Sequence, residues 1–120
     1  MLIRILKSKL HRAVVTCADL NYEGSISIDS ELMKLAGIVP NEVVSIWNIN
    51  NGERFETYAI PAAPNSGEIG LNGAAARLVQ VGDLLVIAAF CFVELAGAAK
   101  IAPAVVILNG KDNRLADVRK

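Results

Sequence analysis

The chain is poor in the residues that build disulfide frameworks, metal centres and acid–base triads. It contains two cysteines and one histidine among 120 residues. Cys17 and Cys91 lie too far apart for a disulfide framework and outside any Cys/His ligand cluster, so we predict two buried, reduced thiols and no metal site. His11 has no acidic residue at a revealing spacing, which argues against a serine-protease-like triad and favours a structural histidine.

Net charge is absent as well. Twelve Lys and Arg residues balance twelve Asp and Glu residues, so the composition gives no cationic stripe for nucleic acid and no basic face for anionic lipid. Basic residues interrupt the first apolar stretch, unlike a signal peptide, and the longest apolar run, residues 84–93, is too short to span a bilayer. We expect a cytoplasmic protein that acts on a small molecule, with neither nucleic acid nor a membrane as partner.

Apolar side chains, by contrast, are abundant. They make up 53% of the chain without glycine, whereas about 45–50% is usual with glycine included. A chain of this length is expected to form one domain that buries roughly two-thirds of its surface. Because monomers seldom expose large apolar patches, we expect other subunits to cover part of the remainder.

The spacing of the apolar residues predicts many short strands joined by tight turns. Asn51-Gly52 predicts a type I′ hairpin turn, in which both central residues have positive φ. This arrangement indicates a small closed β-barrel rather than a helical bundle. The predicted strands are residues 2–9, 13–17, 25–29, 43–49, 53–60, 68–71, 84–92 and 104–108.

Only two short helices are predicted. Ser30 is expected to cap a helix over residues 31–36, which Gly37 ends. A second helix is expected over residues 74–79. Residues 94–103 give no clear pattern, and we expect the charged tail from residue 111 to fray.

The stretch Tyr22-Glu23-Gly24-Ser25 has two interpretations. It can be a plain turn, because glycine adopts positive φ at little cost and serine is common in turns. It can also be a site of self-cleavage, because a serine hydroxyl can attack the preceding carbonyl if the peptide is held strained and its oxygen is stabilised.

Four separated blocks resemble the pyruvoyl-dependent aspartate 1-decarboxylases in order and spacing. They are Lys9-x-His11-Arg12, Tyr22-x-Gly24-Ser25-Ile26-x-Ile28-Asp29, Trp47-Asn48-x-x-Asn51-Gly52-x-Arg54-Phe55-x-Thr57-Tyr58 and Asn72-Gly73-Ala74-Ala75-Ala76-Arg77. The likeness covers residues 1–87 well and implies a mainly β fold, a small double-psi β-barrel with short helices, in a homotetrameric assembly. Residues 90–102 depart from the more acidic segment usual in the family, and none of the residues expected at the active site lies in them.

The resemblance implies that the chain is a zymogen. It would cleave between Gly24 and Ser25 into residues 1–24 (the β chain) and 25–120 (the α chain), with a pyruvoyl cofactor formed from Ser25. This group would form a Schiff base with L-aspartate and accept the electrons released as the α-carboxylate leaves. The implied enzyme is a carbon–carbon lyase that makes β-alanine and CO2 for pantothenate and coenzyme A synthesis. Whether an accessory maturation protein speeds the cleavage stays open.

The resemblance also assigns roles to individual residues. Tyr58 matches the proton donor, and Thr57 matches a threonine near the processing oxyanion and the substrate. Arg54 would bind a carboxylate through its planar fork, and Lys9 would add a point charge. Without the resemblance, each of these would be interpreted as an ordinary strand residue. Trp47 fits a barrel core as well as a pocket wall. The full set of implied substrate-binding residues is Lys9, His11, Trp47, Arg54, Thr57, Asn72, Gly73, Ala74 and Ala75.

Two further hypotheses stay open. One is a non-catalytic double-psi barrel that serves as a binding or assembly module, since turns like Val81-Gly82-Asp83-Leu84 also occur in such barrels. The other is a relative that decarboxylates a different amino acid. The pair of cations Lys9 and Arg54 favours a substrate with two carboxylates, such as aspartate.

Overall fold

The computed structural model describes residues 1–120 and contains nine strands, one α-helix and two 3₁₀-helices. The α-helix, α1, is Ser30–Ala36, and the 3₁₀-helices are Gly73–Leu78 and Leu95–Lys100. None of these helices has the length and apolarity needed to cross a membrane. The strands are β1 (Leu2–Val14), β2 (Cys17–Asp19), β3 (Ser25–Asp29), β4 (Val43–Asn48), β5 (Arg54–Ala62), β6 (Ile69–Asn72), β7 (Leu84–Glu94), β8 (Ala104–Leu108) and β9 (Leu115–Arg119).

The strands form one sheet that curls on itself. Their order is β2-β6-β3-β5-β4-β7-β1-β8-β9, so β1 and β2 stand six places apart, or about 29 Å in a flat sheet. Only Val15 and Thr16 separate them along the chain, a link of at most about 11 Å. Thr16 N–H donates to the Ile69 carbonyl at 2.8 Å and joins the two regions. The sheet is therefore rolled into a barrel, and the predicted fold class, mainly β with short helices, is confirmed.

The barrel encloses a single hydrophobic core of 21 buried residues. Leu10, Ile46 and Ile87 are fully buried, and Ile87 lies opposite both of the others in the strand register. Because successive side chains in a strand point to opposite faces, Lys9, His11 and Trp47 point away from the core. We call this side of β1, β7, β4 and β5 the outer face.

The opening of the chain is one long strand, not the two predicted. β1 continues through residues 10–12, between the two predicted strands, and its pairing with β7 shifts register between His11 and Ala13. Arg12 has φ +67° at this shift. A bulge of this kind absorbs one extra residue and lets the strand bend without ending.

The α1 helix has the predicted end but a different cap. Gly37 adopts φ +65° and ends the helix as expected. The N-cap is Asp29, not Ser30, since the Asp29 carboxylate accepts a hydrogen bond from Glu31 N–H at 2.9 Å. The same carboxylate also accepts from the backbone of Asn65 and Gly67, so it joins the helix start to the loop before β6.

The β4–β5 connection differs from the predicted type I′ turn. Gly52 has φ +78°, but Asn51 is not in the positive-φ region, and the loop spans residues 49–53. Asparagine side chains explain the difference. Asn48 Oδ1 accepts from Asn50 N–H and Asn51 Oδ1 accepts from Glu53 N–H, both at 2.9 Å. Such local bonds favour a longer loop than a two-residue turn.

The carboxyl-terminal tail is not frayed. β9 pairs with β8 in antiparallel register, and the segment before it is anchored by Asn113, which is 4% exposed. Asn113 exchanges two hydrogen bonds with the backbone of Val14 and donates a third to the Gly67 carbonyl. The prediction of a loose tail was wrong because charge content does not reveal these distant partners.

The cysteines are unpaired, as predicted, but they are not both buried. Cys17 is exposed and Cys91 is half-buried. Cys17 is exposed because β2 stands at the end of the strand order, with a neighbouring strand on one side only.

Candidate functional site

A cavity of ≈ 240 Å³ lies beside the Gly24–Ser25 bond. Five of its lining residues belong to the predicted site, namely Gly24, Thr57, Asn72, Ala74 and Ala75. Three others, Phe55, Glu56 and Leu78, were not predicted. Thr57 reaches the cavity because it shares the inward face of β5 with Ala59, which is fully buried.

The Ser25 hydroxyl is buried and fully hydrogen-bonded. Ser25 is 1% exposed, and its Oγ donates to the Glu23 carbonyl at 3.1 Å. Asn72 Nδ2 donates to the same Oγ at 3.0 Å. The strand register places these two residues directly opposite each other on β3 and β6. The arrangement holds the hydroxyl still beside the Gly24 carbonyl and presents an N–H donor to its oxygen.

Gly73 brings the start of its 3₁₀-helix against the backbone at Gly24. A Cβ on Gly73 would lie 2.7 Å from Gly24 Cα and 2.8 Å from Gly24 N. Gly73 also has φ +67°, which side chains with a Cβ rarely adopt. Only glycine therefore fits at this position, and the Gly24–Ser25 segment is packed tightly from that side.

Tyr58 of β5 lies next to Ser25 of the neighbouring strand β3. Ile26 of β3 pairs with Ala59 of β5, and both are fully buried. Ser25 and Tyr58 each precede a residue of this pair, so their side chains point to the same side of the sheet. The structure thus brings the predicted proton donor and the predicted cofactor precursor onto neighbouring strands, although Tyr58 does not line the cavity.

The remaining predicted residues form a row on the outer face, which Tyr58 of β5 shares. His11 and Trp47 both stand opposite Val86, and Trp47 stands opposite Arg54, which gives one row across four strands. Lys9 is two residues before His11 on the same face. Neither Lys9 nor any residue of this row lines the cavity beside the Gly24–Ser25 bond in one copy of the chain.

Two interactions define the chemistry of this row. The Arg54 guanidinium lies 4.5 Å from the centre of the Trp47 ring, a cation–π contact that orients the fork while leaving Arg54 exposed. Partial burial, with the charges of Lys9, Arg12 and Arg119, lowers the pKa of His11 below its ordinary value of 6.5. His11 Nδ1 is buried without a hydrogen-bond partner. The row is thus a cationic strip that carries a neutral imidazole.

Ser27 is a site residue that the sequence motifs did not single out. Its hydroxyl accepts a second hydrogen bond from Asn72 Nδ2, at 3.1 Å. Only the strand register reveals this contact, since the pairing of β3 with β6 is not encoded in either motif alone. No group of three or more His, Cys, Asp or Glu residues is arranged to hold a metal ion.

The site thus combines a buried serine next to Gly24, an amide donor on the serine oxygen and a cavity alongside, within a small barrel. A family model described as aspartate decarboxylase matches residues 1–115 of this chain. The chain therefore belongs to the aspartate decarboxylase family.

Close relatives carry the same name. The aspartate 1-decarboxylase of Caldicellulosiruptor bescii is 56% identical, over 98% of this chain and 93% of the relative. Those of Hyphomonas neptunium and Caulobacter vibrioides are 53% and 55% identical, over 96% and 91% of this chain and 97% and 92% of the relatives. Among solved structures, the computationally designed protein msDPBB_sym2 matches with 20% identity and a TM-score of 0.45, over 72% of this chain and 96% of the design. At that TM-score the likeness carries no information on topology.

Proposed function

We propose that this protein is a self-processing, pyruvoyl-dependent decarboxylase that converts L-aspartate to β-alanine and CO2. Family membership across residues 1–115 supports the reaction class. The observation that carries the proposal is the buried Ser25 hydroxyl, which receives a hydrogen bond from Asn72. This bond presents an N–H donor to the atom that would attack the Gly24 carbonyl. The β-alanine would feed pantothenate and coenzyme A synthesis.

Ser25 and Gly24 fit the formation of a pyruvoyl group. Ser25 Oγ forms a bond to the Gly24 carbonyl carbon, the C–N bond between the two residues breaks, and the hydroxyl proton ends on the Ser25 nitrogen. Elimination then releases residues 1–24 as a carboxylate, and water replaces the nitrogen, which leaves as ammonia. The N–H of Asn72 stabilises negative charge on Oγ as the hydroxyl proton is removed, and the attack then moves that charge to the Gly24 carbonyl oxygen. Thr57, which lines the cavity together with Gly24, would donate a hydrogen bond to the carbonyl oxygen.

The cavity accommodates a substrate of the size of aspartate. Its small lining residues Ala74 and Ala75 let a ligand approach the backbone closely. Once formed, the pyruvoyl ketone supplies an electrophilic carbonyl that condenses with an amine and accepts the electrons released by decarboxylation. Tyr58, next to Ser25 across the strands, would return a proton to the substrate carbon.

The cationic row of a second copy of the chain would bind the carboxylates of the substrate. The Arg54 and Lys9 side chains suit carboxylate recognition, but neither lines the cavity in one copy of the chain. A neighbouring subunit that packs its outer face against the cavity would supply both cations. Exposed apolar residues fit such packing, for example Val43 at 56% and Val81 at 65% exposure. The expected assembly is the homotetramer.

Denaturing mass spectrometry tests the processing step. Incubated wild-type protein should give two fragments, residues 1–24 and 25–120, the second with a carbonyl at its amino terminus. The Ser25→Ala variant should stay full-length and inactive while keeping the melting temperature of the uncleaved wild-type chain. A wild-type chain that stays intact after long incubation, or a Ser25→Ala variant that still decarboxylates aspartate, would rule out the pyruvoyl mechanism.

Co-expression tests the shared site. Ser25→Ala and Lys9→Ala should each be inactive alone, because each lacks one half of every site. Mixed assemblies should recover about a quarter of the wild-type activity, since random mixing completes that share of the sites. No recovery in assemblies shown to be mixed would place both halves in one copy. Turnover of aspartate against glutamate then tests the substrate, and equal rates would contradict the choice of aspartate.

A further inference from the structure

The Asn72 amide makes two hydrogen bonds to side chains of β3. Only the bond to Ser25 has a role in the proposed attack on the peptide bond. Asn72 is 7% exposed. Its two Nδ2 hydrogens meet two acceptors, Ser25 Oγ at 3.0 Å and Ser27 Oγ at 3.1 Å. Asn72 has no side-chain bond to the 3₁₀-helix that it precedes, so these two serines are its only side-chain partners.

The Ser25 contact requires one orientation of the amide. Ser25 has a single hydroxyl hydrogen, which it donates to the Glu23 carbonyl. Its oxygen can therefore only accept from Asn72, and the amide must present its NH2 group and not its carbonyl oxygen. An amide rotated by half a turn would place two acceptors against each other.

The Ser27 hydroxyl adds a second hydrogen bond to the amide in this orientation, which Ser25 sets. Ser25 and Ser27 are two residues apart on β3 and share a face, so one NH2 group spans both. Gly70, directly opposite Ser27, leaves the space between them open. A Cβ at Gly70 would lie 3.6 Å from Ser27 Cβ and 2.7 Å from Cys17 Sγ, so a larger residue there would crowd both.

We propose that Ser27 is a positioning residue for self-cleavage, which holds the Asn72 amide with its N–H toward Ser25 Oγ. The inference rests on the processing function proposed above. Ser27 does not touch the reacting atoms. It acts by keeping the amide in the orientation that stabilises negative charge on Oγ as the hydroxyl proton leaves for the Ser25 nitrogen.

The test uses two variants of equal size. Ser27→Thr keeps the hydroxyl, whereas Ser27→Val replaces it with a methyl group of similar volume. Freshly made full-length chains are followed by denaturing mass spectrometry, with melting temperatures measured on the same samples. Ser27→Val should cleave roughly tenfold more slowly than Ser27→Thr, which corresponds to the loss of one hydrogen bond. Ser27→Thr should cleave at a rate within about twofold of the wild type.

A second comparison separates positioning from general stability. In an Asn72→Ala background the Ser27→Val change should have no further effect on cleavage, because there is no amide left to orient. Equal cleavage of Ser27→Val and Ser27→Thr, or effects of Ser27→Val and Asn72→Ala that multiply, would overturn the role of Ser27. These outcomes leave the proposed function intact. Absence of cleavage in the wild-type chain would instead refute the processing function and this inference together.

Discussion

Gly73 and Gly24 are in close backbone contact, although 49 residues separate them in the sequence. The space where a Cβ of Gly73 would stand is bounded by Gly24 Cα at 2.7 Å, Gly24 N at 2.8 Å and the Tyr22 carbonyl at 3.2 Å. The start of one 3₁₀-helix therefore fixes the position of the bond that we propose is cleaved. The helix that lines the cavity and the peptide that reacts form one structural unit.

Gly73→Ala should slow self-cleavage by tenfold or more. An added Cβ must push Gly24 away from the position at which its carbonyl meets Ser25 Oγ, and the φ of +67° adds strain of about 1–2 kcal/mol. The measurement is the rate at which the full-length chain disappears in denaturing mass spectrometry.

Gly37→Ala is the matched control for this change. Gly37 has nearly the same φ, +65°, but no atom within 4 Å of its would-be Cβ. The control should lose similar stability and keep its cleavage rate. If both variants cleave equally slowly, backbone strain is the cause and the close approach of Gly73 to Gly24 is irrelevant.

Tyr58→Phe should separate processing from decarboxylation. The hydroxyl of Tyr58 is proposed to return a proton to the substrate, so its loss should leave chain cleavage unchanged and lower kcat by about 10²- to 10⁴-fold. Turnover must be expressed per cleaved chain, with cleavage measured on the same sample. Unchanged kcat would assign proton return to another group.

Local features such as a helix end follow directly from the sequence, whereas features that depend on side chains from distant segments do not. Gly37 ends α1 as predicted because a left-handed helix end needs glycine locally. The pairing of β9 with β8 was missed, since it is anchored by Asn113 through bonds to residues as far away as Val14.

Some features of the candidate site are likewise predictable from the sequence and others are not. Ser25 is recognisable from its motif, but its partner Asn72 is 47 residues away, and their contact depends on the register of β3 with β6. The motifs predict both as site residues but do not predict that they are in contact. The motifs do not identify Ser27, because a serine in a strand indicates no function by itself. Its role is suggested only by the hydrogen bond that it accepts from Asn72.

Arg54→Lys should raise KM for aspartate by about tenfold, with kcat and chain cleavage little changed. Lysine keeps the charge but loses the planar fork that binds a carboxylate through paired hydrogen bonds and stacks on Trp47. Arg4→Lys is the matched control, since Arg4 makes a similar contact, 4.3 Å from the ring centre of Phe90, which packs against Trp47 but is not a predicted substrate-binding residue. An equal change of KM in both variants would mean that loss of cation–π packing is the cause.

Acidification should destabilise the protein partly through His11. The pKa of His11 is lowered in the folded chain, chiefly by burial and then by Lys9, Arg12 and Arg119, so the folded state favours the neutral imidazole. The stability that this provides is complete above the unfolded pKa of 6.5 and is lost as the pH falls below that value and through the folded pKa. The free energy of unfolding should therefore decrease between about pH 7.5 and pH 5 more steeply in the wild type than in His11→Gln. Both proteins keep Asp112, whose pKa is also lowered, mainly by a hydrogen bond from Asn109, so the difference between them isolates the imidazole. Parallel curves for the two proteins would mean that the folded chain accepts a proton on His11 without penalty.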